Sequence, residues 1–171
     1  MFFSAIFVAM EFSMIRVRNS ELESLIKEGN KKAKKVKEIK EHIDWYISAA
    51  QLGITVVSLI LGWLMEGVIT EKIVSPIFKY FNITFPHIRD LSLVIGILFA
   101  TYLAVTFGEL IPKSIAIKYP INVSIWLALP LILFNKIFKP LIWSFNVSAN
   151  GFLRLIGIEP VTKDVITHSE E

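Results

Sequence analysis

Twenty-one consecutive residues, Trp45 to Met65, carry no charge. A second uncharged run, Leu91 to Phe107, leads into Gly108-Glu109-Leu110-Ile111-Pro112-Lys113. At a helical rise of ~1.5 Å per residue, runs of this length cross most or all of a ~30 Å hydrocarbon layer. Inside that layer each backbone N–H and C=O needs a partner within the protein, and long apolar runs meet that need as helices. The chain therefore reads as an all-α integral membrane protein. Its composition agrees: 54% of the 171 residues are hydrophobic and the mean hydropathy is +0.59. The absence of cysteine excludes a disulfide framework and a thiolate metal site. The three histidines, His42, His87 and His168, stand apart from any nucleophile with a third orienting group, so an enzyme is not expected. No basic n-region or small-residue cleavage site precedes Glu11, so the opening segment does not read as a signal peptide.

Charge placement gives the expected topology. Nine of the eighteen Lys and Arg residues lie between Arg16 and Lys40, whereas the connection from Glu66 to Asp90 holds only Lys72, Lys79 and Arg89. By the positive-inside rule the first loop is cytoplasmic. Helix 1 is expected over about 1–18, with Arg16 and Arg18 snorkelling to extend a short span. Basic helices follow over 20–42. Ser20 and Glu23 form a capping box, Gly29 and Asn30 close the first helix, and the lysine-rich second one lies against an anionic leaflet. A nucleic-acid partner is not expected, because this run is wedged between membrane helices. Helix 2 covers about 44–70, bounded by Trp45 and Tyr46 at one interface and Trp63 at the other. Helix 3 covers about 90–118. Beyond Pro120, two apolar stretches of thirteen to fifteen residues are interrupted by Pro130, Lys136, Lys139 and Pro140. They read as a cytoplasmic-side juxtamembrane hairpin over 121–155, re-entrant or lying as a belt, with Trp126 and Trp143 as anchors. A fourth span is the rival. Residues 1–156 thus form one membrane domain and 157–171 begin a polar linker.

The chemistry concentrates on the 108–113 motif. Pro112 has no N–H, and its ring crowds the carbonyl four residues back, that of Gly108. If the helix continues, a free Gly108 oxygen lies beside the Glu109 carboxylate, and the pair suits a hard cation. The competing reading is a helix ending at a proline, with Lys113 snorkelling. Thr106 and Glu109 share a helix face, and Thr101 and Tyr102 lie close to that register. On helix 2, Ser48, Gln51, Thr55 and Ser58 recur at three, four and three. Such a stripe turns toward protein or water rather than lipid, most simply for interhelical hydrogen bonds. Glu11 reads as a structural or gating carboxylate paired with Arg16 or Lys113, or as part of a polar core with Glu109.

In order along the chain, several motifs resemble the membrane module of the CNNM/CorC magnesium-transport family. They are Phe7-Val8-Ala9-Met10-Glu11-Phe12-Ser13, Glu28-Gly29-Asn30-Lys31-Lys32-Ala33, Gln51-Leu52-Gly53-Ile54-Thr55, Leu61-Gly62-Trp63 and the 108–113 motif. The closing His168-Ser169-Glu170-Glu171 resembles the lead-in to that family's paired CBS domains. The resemblance implies three transmembrane helices, a juxtamembrane helical belt, a homodimer, and a cytosolic nucleotide-binding CBS pair beyond this sequence. It places the chain in a prokaryotic cell membrane, multi-pass, with a cytoplasmic C-terminus. It also implies a dehydrated Mg²⁺ held between the helices, with Na⁺ as the exchanged or alternative ion. Carried over, Glu109 and the Gly108 carbonyl are ligands. Val8, Met10 and Ile54 stand where many relatives have polar ligands, so Ser13, Gln51 and Thr55 are taken as the replacement oxygens, with Ser4 and Ser48 as further substitutes. Glu11, Thr106, Pro112, Lys113 and Ser48 are assigned structural or gating roles. The expected function is Mg²⁺ export coupled to Na⁺; the alternative is a non-transporting dimeric anchor or ion sensor.

Overall fold

A computed structural model describes residues 1–69, 72, 75–80 and 88–158. Among them the regular structure is entirely helical. Helix α1 spans Phe2–Arg16, α2 Asn19–Lys27, α3 Lys31–Lys40, α4 Ile43–Ile69 and α5 Ser75–Tyr80. Then α6 spans Ile88–Val105, a π-helical turn Thr106–Leu110, α7 Ile111–Lys118 and α8 Pro120–Leu155. Three stretches have the length and apolarity to cross a bilayer: Ile43–Leu64, Asp90–Lys118 and Pro120–Leu155. The first two are the expected helices 2 and 3. Helix α1, at 15 residues, is shorter than a usual span of ~20. The expectations for 81–87 and for the linker beyond residue 158 lie outside the described residues.

Helix α1 is the hub. It packs against α4, α7, α8 and the π-turn, and Ser4, Val8, Met10, Ser13 and Met14 are buried. Its weak amphipathicity fits this position: one part of its surface meets protein, while Phe2, Phe3 and Ile15 are exposed apolar side chains, so neither side needs to be polar in a bilayer. The tightest approach is at Gly53. A Cβ built there would fall 2.5–2.6 Å from three ring atoms of Phe7. The Phe7 ring meets Phe134 of α8 edge-on at 4.7 Å, and Phe134 leans on Phe138 at 4.5 Å. Phe7 therefore has little room to retreat. Gly53→Ala is expected to cost about 1–3 kcal/mol by overpacking, read as a fall of several degrees in the detergent unfolding midpoint.

The basic region is built by local chemistry. Gly29, at φ 85°, ends α2 in a left-handed turn. Its N–H bonds to the Ile26 carbonyl, and the Asn30 N–H reaches back to Leu25, the paired bonds of a Schellman motif. The Asn30 side chain then caps α3 by accepting from the N–H groups of Lys32 and Ala33 at 3.0 and 3.2 Å. The expected capping box at Ser20 is not formed. Helix α2 starts a residue earlier, at Asn19, with Arg18 as an N-cap that makes no side-chain bond. Glu23 instead pairs with Lys37 of α3 at 3.3 Å. The apolar face of α3, Ala33, Val36 and Ile39, is fully buried, and α3 packs on α2 and α8. That face is taken by protein, so α3 does not embed it in lipid. Lys40 closes α1 by donating to the Val17 carbonyl at 2.6 Å.

The expected hairpin after Pro120 is one helix of 36 residues with Pro130 and Pro140 inside it. Each proline removes one backbone bond, yet the helix persists because one long face is held by neighbours. Ser124, Ala128, Leu131 and Ile142 are buried on a common face, and Asn135, in register with them, accepts from Trp45 Nε1 at 2.6 Å. Packing against α1, α3 and α4 outweighs the local proline signal. A Schellman turn at Gly157, φ 78°, ends the helix, with the Ile158 N–H bonded to the Leu153 carbonyl at 2.9 Å.

Candidate functional site

The junction of α6 and α7 is built by Pro112. The Ile111 N–H bonds to the Thr106 carbonyl, one residue further back than in an α-helix. In α register that N–H belongs to Phe107. The next donor would serve Gly108, but residue 112 is proline. The π-turn and the proline therefore withdraw the helical partners of two successive carbonyls, Phe107 and Gly108. Single π-turns within α-helices are frequent at functional sites for this reason. Gly108 is buried against α1: a Cβ built on it would lie 3.5 Å from Ser4 Oγ, an ordinary contact.

Beside this junction lies a cavity of about 430 Å³ between α1, α4 and α6. Among the described residues its polar lining consists of Ser4, Ser58, Thr101 and Glu109, and Glu109 is the only one of them with an ionisable side chain. Val8, Ile54, Leu61 and Ile97 supply apolar wall, and Gly62 of α4 and Gly96 of α6 also line it. At ~30 Å³ per water the cavity is far larger than a bare ion needs. A bare ion would not fill it.

The structure distributes the expected site residues over three places. Glu109 lines the cavity and Gly108 backs it. Gln51 lies beside the Glu11 carboxylate, which is also within electrostatic reach of Glu109 and Lys113. Ser13 and Thr55 are turned back on their own helices: Ser13 Oγ donates to the Met10 carbonyl at 3.1 Å, and Thr55 Oγ1 to the Gln51 carbonyl at 2.8 Å. Ser48 does the same to Asp44 at 3.0 Å. Lys113 Nζ sits 4.4 Å over the Phe12 ring. Thr106 opens the π-turn. Val8 and Ile54 line the cavity, whereas Met10 is buried in the helical core.

Ser4, one of the expected substitutes, joins Glu109, and so do Ser58 and Thr101, which are not in the expected ligand set. Their signals were in the sequence. Ser58 ends the helix 2 stripe, Thr101 lies eight residues before Glu109, and Ser4 is on the face of α1 shared with Val8. Among the described residues no group of three or more His, Cys, Asp or Glu gathers. The cavity therefore offers one carboxylate and neutral oxygens, a donor set for hard or ammonium-type cations rather than for a soft transition metal.

The long apolar helices, with an acidic side chain on a cavity among them, define a polytopic helical membrane protein. Residues 1–171 match the Cyclin M transmembrane N-terminal domain (CNNM) family, and the chain belongs to that family. It is 40% identical over 168 residues to the UPF0053 protein YrkA of Bacillus subtilis, covering 98% of this chain and 38% of YrkA. It is 44% identical over 172 residues to YhdP of the same organism, again covering 98% and 38%. A protein of Haemophilus influenzae named polyamine export protein is 29% identical over 167 residues, with 98% of this chain and 38% of that protein covered. The chain thus spans a little over a third of the length of these relatives.

Proposed function

We propose that this chain is the membrane module of a cation exporter, moving Mg²⁺ outward in exchange for Na⁺. The observation that carries the reading is the placement of Glu109 as the one ionisable side chain, among the described residues, of the α1–α4–α6 cavity. The carbonyls of Phe107 and Gly108, the two residues before Glu109 in the chain, have lost their α-helical partners. A carboxylate supplies charge compensation, and neutral oxygens from Ser4, Ser58, Thr101 and the Gly108 region replace part of a hydration shell. Val8 and Ile54 subtract from the donor set, so the ion retains waters, as Mg²⁺ usually does. The working unit on this reading is a homodimer with the C-terminus in the cytoplasm, followed in the full-length protein by a CBS pair.

A second cargo is favoured by the apolar wall. A polyamine carries ammonium groups on alkyl stems, and a carboxylate beside Val8, Ile54, Leu61 and Ile97 suits both parts. The name of the Haemophilus influenzae relative points the same way. Proteoliposomes loaded with Mg²⁺ or with spermidine, with and without a Na⁺ gradient, separate the cargoes. Mg²⁺ flux that rises with the Na⁺ gradient is the expected result. Spermidine flux alone reassigns the substrate. No flux of either, with no thermal shift on adding Mg²⁺ or Na⁺, leaves a membrane anchor.

A further inference from the structure

The seam between α3 and α8 brings together features that neither the cavity nor the packing of the bundle uses. Two of the lysines of α3 have structural partners: Lys37 pairs with Glu23, and Lys40 caps α1. Lys31, Lys32 and Lys34 are exposed and Lys35 is half-buried. Lys32 and Lys35 are three apart, neighbours on the helix surface beside the buried Ala33 and Val36. Across the seam, Lys32 Nζ lies 5.2 Å from the ring centre of Trp126. That ring is 76% exposed, so the contact covers little of it. Trp126 begins an exposed apolar stripe on α8 that continues through Leu129 and Leu133.

The depth of this seam follows from α8 itself. Lys136 and Lys139, near its midpoint, are exposed. A perpendicular crossing would hold both near the bilayer centre, where each costs about 2.5–3.5 kcal/mol or more. Asn135 is instead tied to Trp45, at the start of α4 beside the basic helices. Helix α8 therefore runs along the membrane interface. Cations then meet exposed tryptophan and leucine at one depth, and a soluble anion would have no use for the apolar half of that pairing.

We infer that the α3–α8 seam is a binding site for one anionic phospholipid, its phosphate between Lys32 and Lys35 and its acyl chain along Trp126, Leu129 and Leu133. The occupant is committed by the juxtaposition of lysine pair and apolar stripe. A nucleotide or an acidic protein segment would need the cations alone.

The test uses the purified chain in detergent, titrated with phosphatidylglycerol or phosphatidylcholine, with retained lipid counted by native mass spectrometry and the unfolding midpoint measured in parallel. Phosphatidylglycerol is expected to be retained and to raise the midpoint, while phosphatidylcholine does neither. Each lysine removed should weaken retention about fivefold, the factor that ~1 kcal/mol per residue near an anionic surface makes. Lys32→Ala with Lys35→Ala should then lose about twenty-five-fold, and Trp126→Ala should shorten retention without changing the preference for anionic lipid. Both variants alter exposed or half-exposed side chains, and an unchanged midpoint in phosphatidylcholine verifies their fold. Equal retention of the two lipids, full retention by the double variant, or equal stabilisation by inorganic phosphate overturns the proposal.

Discussion

Glu109→Gln should abolish most cation flux while leaving the fold intact. Glutamine keeps the size and the oxygen of glutamate and removes only the charge. Two unit charges ~4 Å apart at an effective dielectric of ~20 interact by about 4 kcal/mol. If desolvation offsets half of that, the remaining ~2 kcal/mol still amounts to roughly 30-fold. Flux in proteoliposomes is therefore expected to fall at least about 30-fold, and the rise in unfolding midpoint that Mg²⁺ gives the wild type should disappear. The second readout follows because a ligand that binds only the folded state stabilises it by an amount that rises with the logarithm of its concentration over Kd. Glu11→Gln is the matched control. Glu11 lies beside Gln51 and does not line the cavity, so its loss should change flux by less than about fivefold, the factor for ~1 kcal/mol. Undiminished Mg²⁺ flux in Glu109→Gln would remove the assigned role, and equal losses in both variants would point to the polar cluster as a whole.

The residues that were legible before the structure share one property: their chemistry is local. Trp45 and Trp63 bracket an uncharged run, and α4 covers both. Gly29 and Asn30 stop one helix and start the next. Pro112 marks a missing backbone donor, and the break is there, although the π-turn that doubles it, with the Ile111 N–H bonded to Thr106, is a register choice that a missing donor permits without specifying. What was illegible depended on partners. Ser13 and Thr55 have the right type and spacing for ligands, but a hydroxyl on a helix can always bond back to its own carbonyls, and both do. Ser4, Ser58 and Thr101 have the same chemistry and differ only in facing the cavity. Pro130 and Pro140 announced a break that a continuous buried face on α8 overrode. Glu23 has a capping position but a better electrostatic partner one helix away in Lys37.

Pro112→Ala separates the ion site from stability, because the two should move in opposite directions. Alanine restores an N–H at residue 112. In α register that donor reaches the Gly108 carbonyl, and the Ile111 N–H, now bonded to Thr106, is free to return to Phe107. Both carbonyls then regain helical partners, and the π-turn has no missing donor to sustain it. A backbone hydrogen bond contributes about 0.5–1.5 kcal/mol net, and alanine is ~3 kcal/mol more favourable than proline in a helix interior. The buried Pro112 ring is lost, which offsets part of that gain. The variant is expected to unfold at a higher temperature than wild type in the absence of cations. Relaxing a π-turn to α also removes the extra residue's worth of rotation, so Glu109 swings by roughly 100° about the helix axis relative to the segment on one side of the turn. The carboxylate then leaves Ser4, Ser58 and Thr101, and the carbonyls turn inward to their own helix. Cation-dependent stabilisation should fall about tenfold in apparent affinity, the factor for ~1.4 kcal/mol, and flux with it. A variant that is more stable yet transports normally would show that the broken rung serves only to bend α6 into α7, whereas a loss of both would mean that the turn is needed for the bundle to assemble.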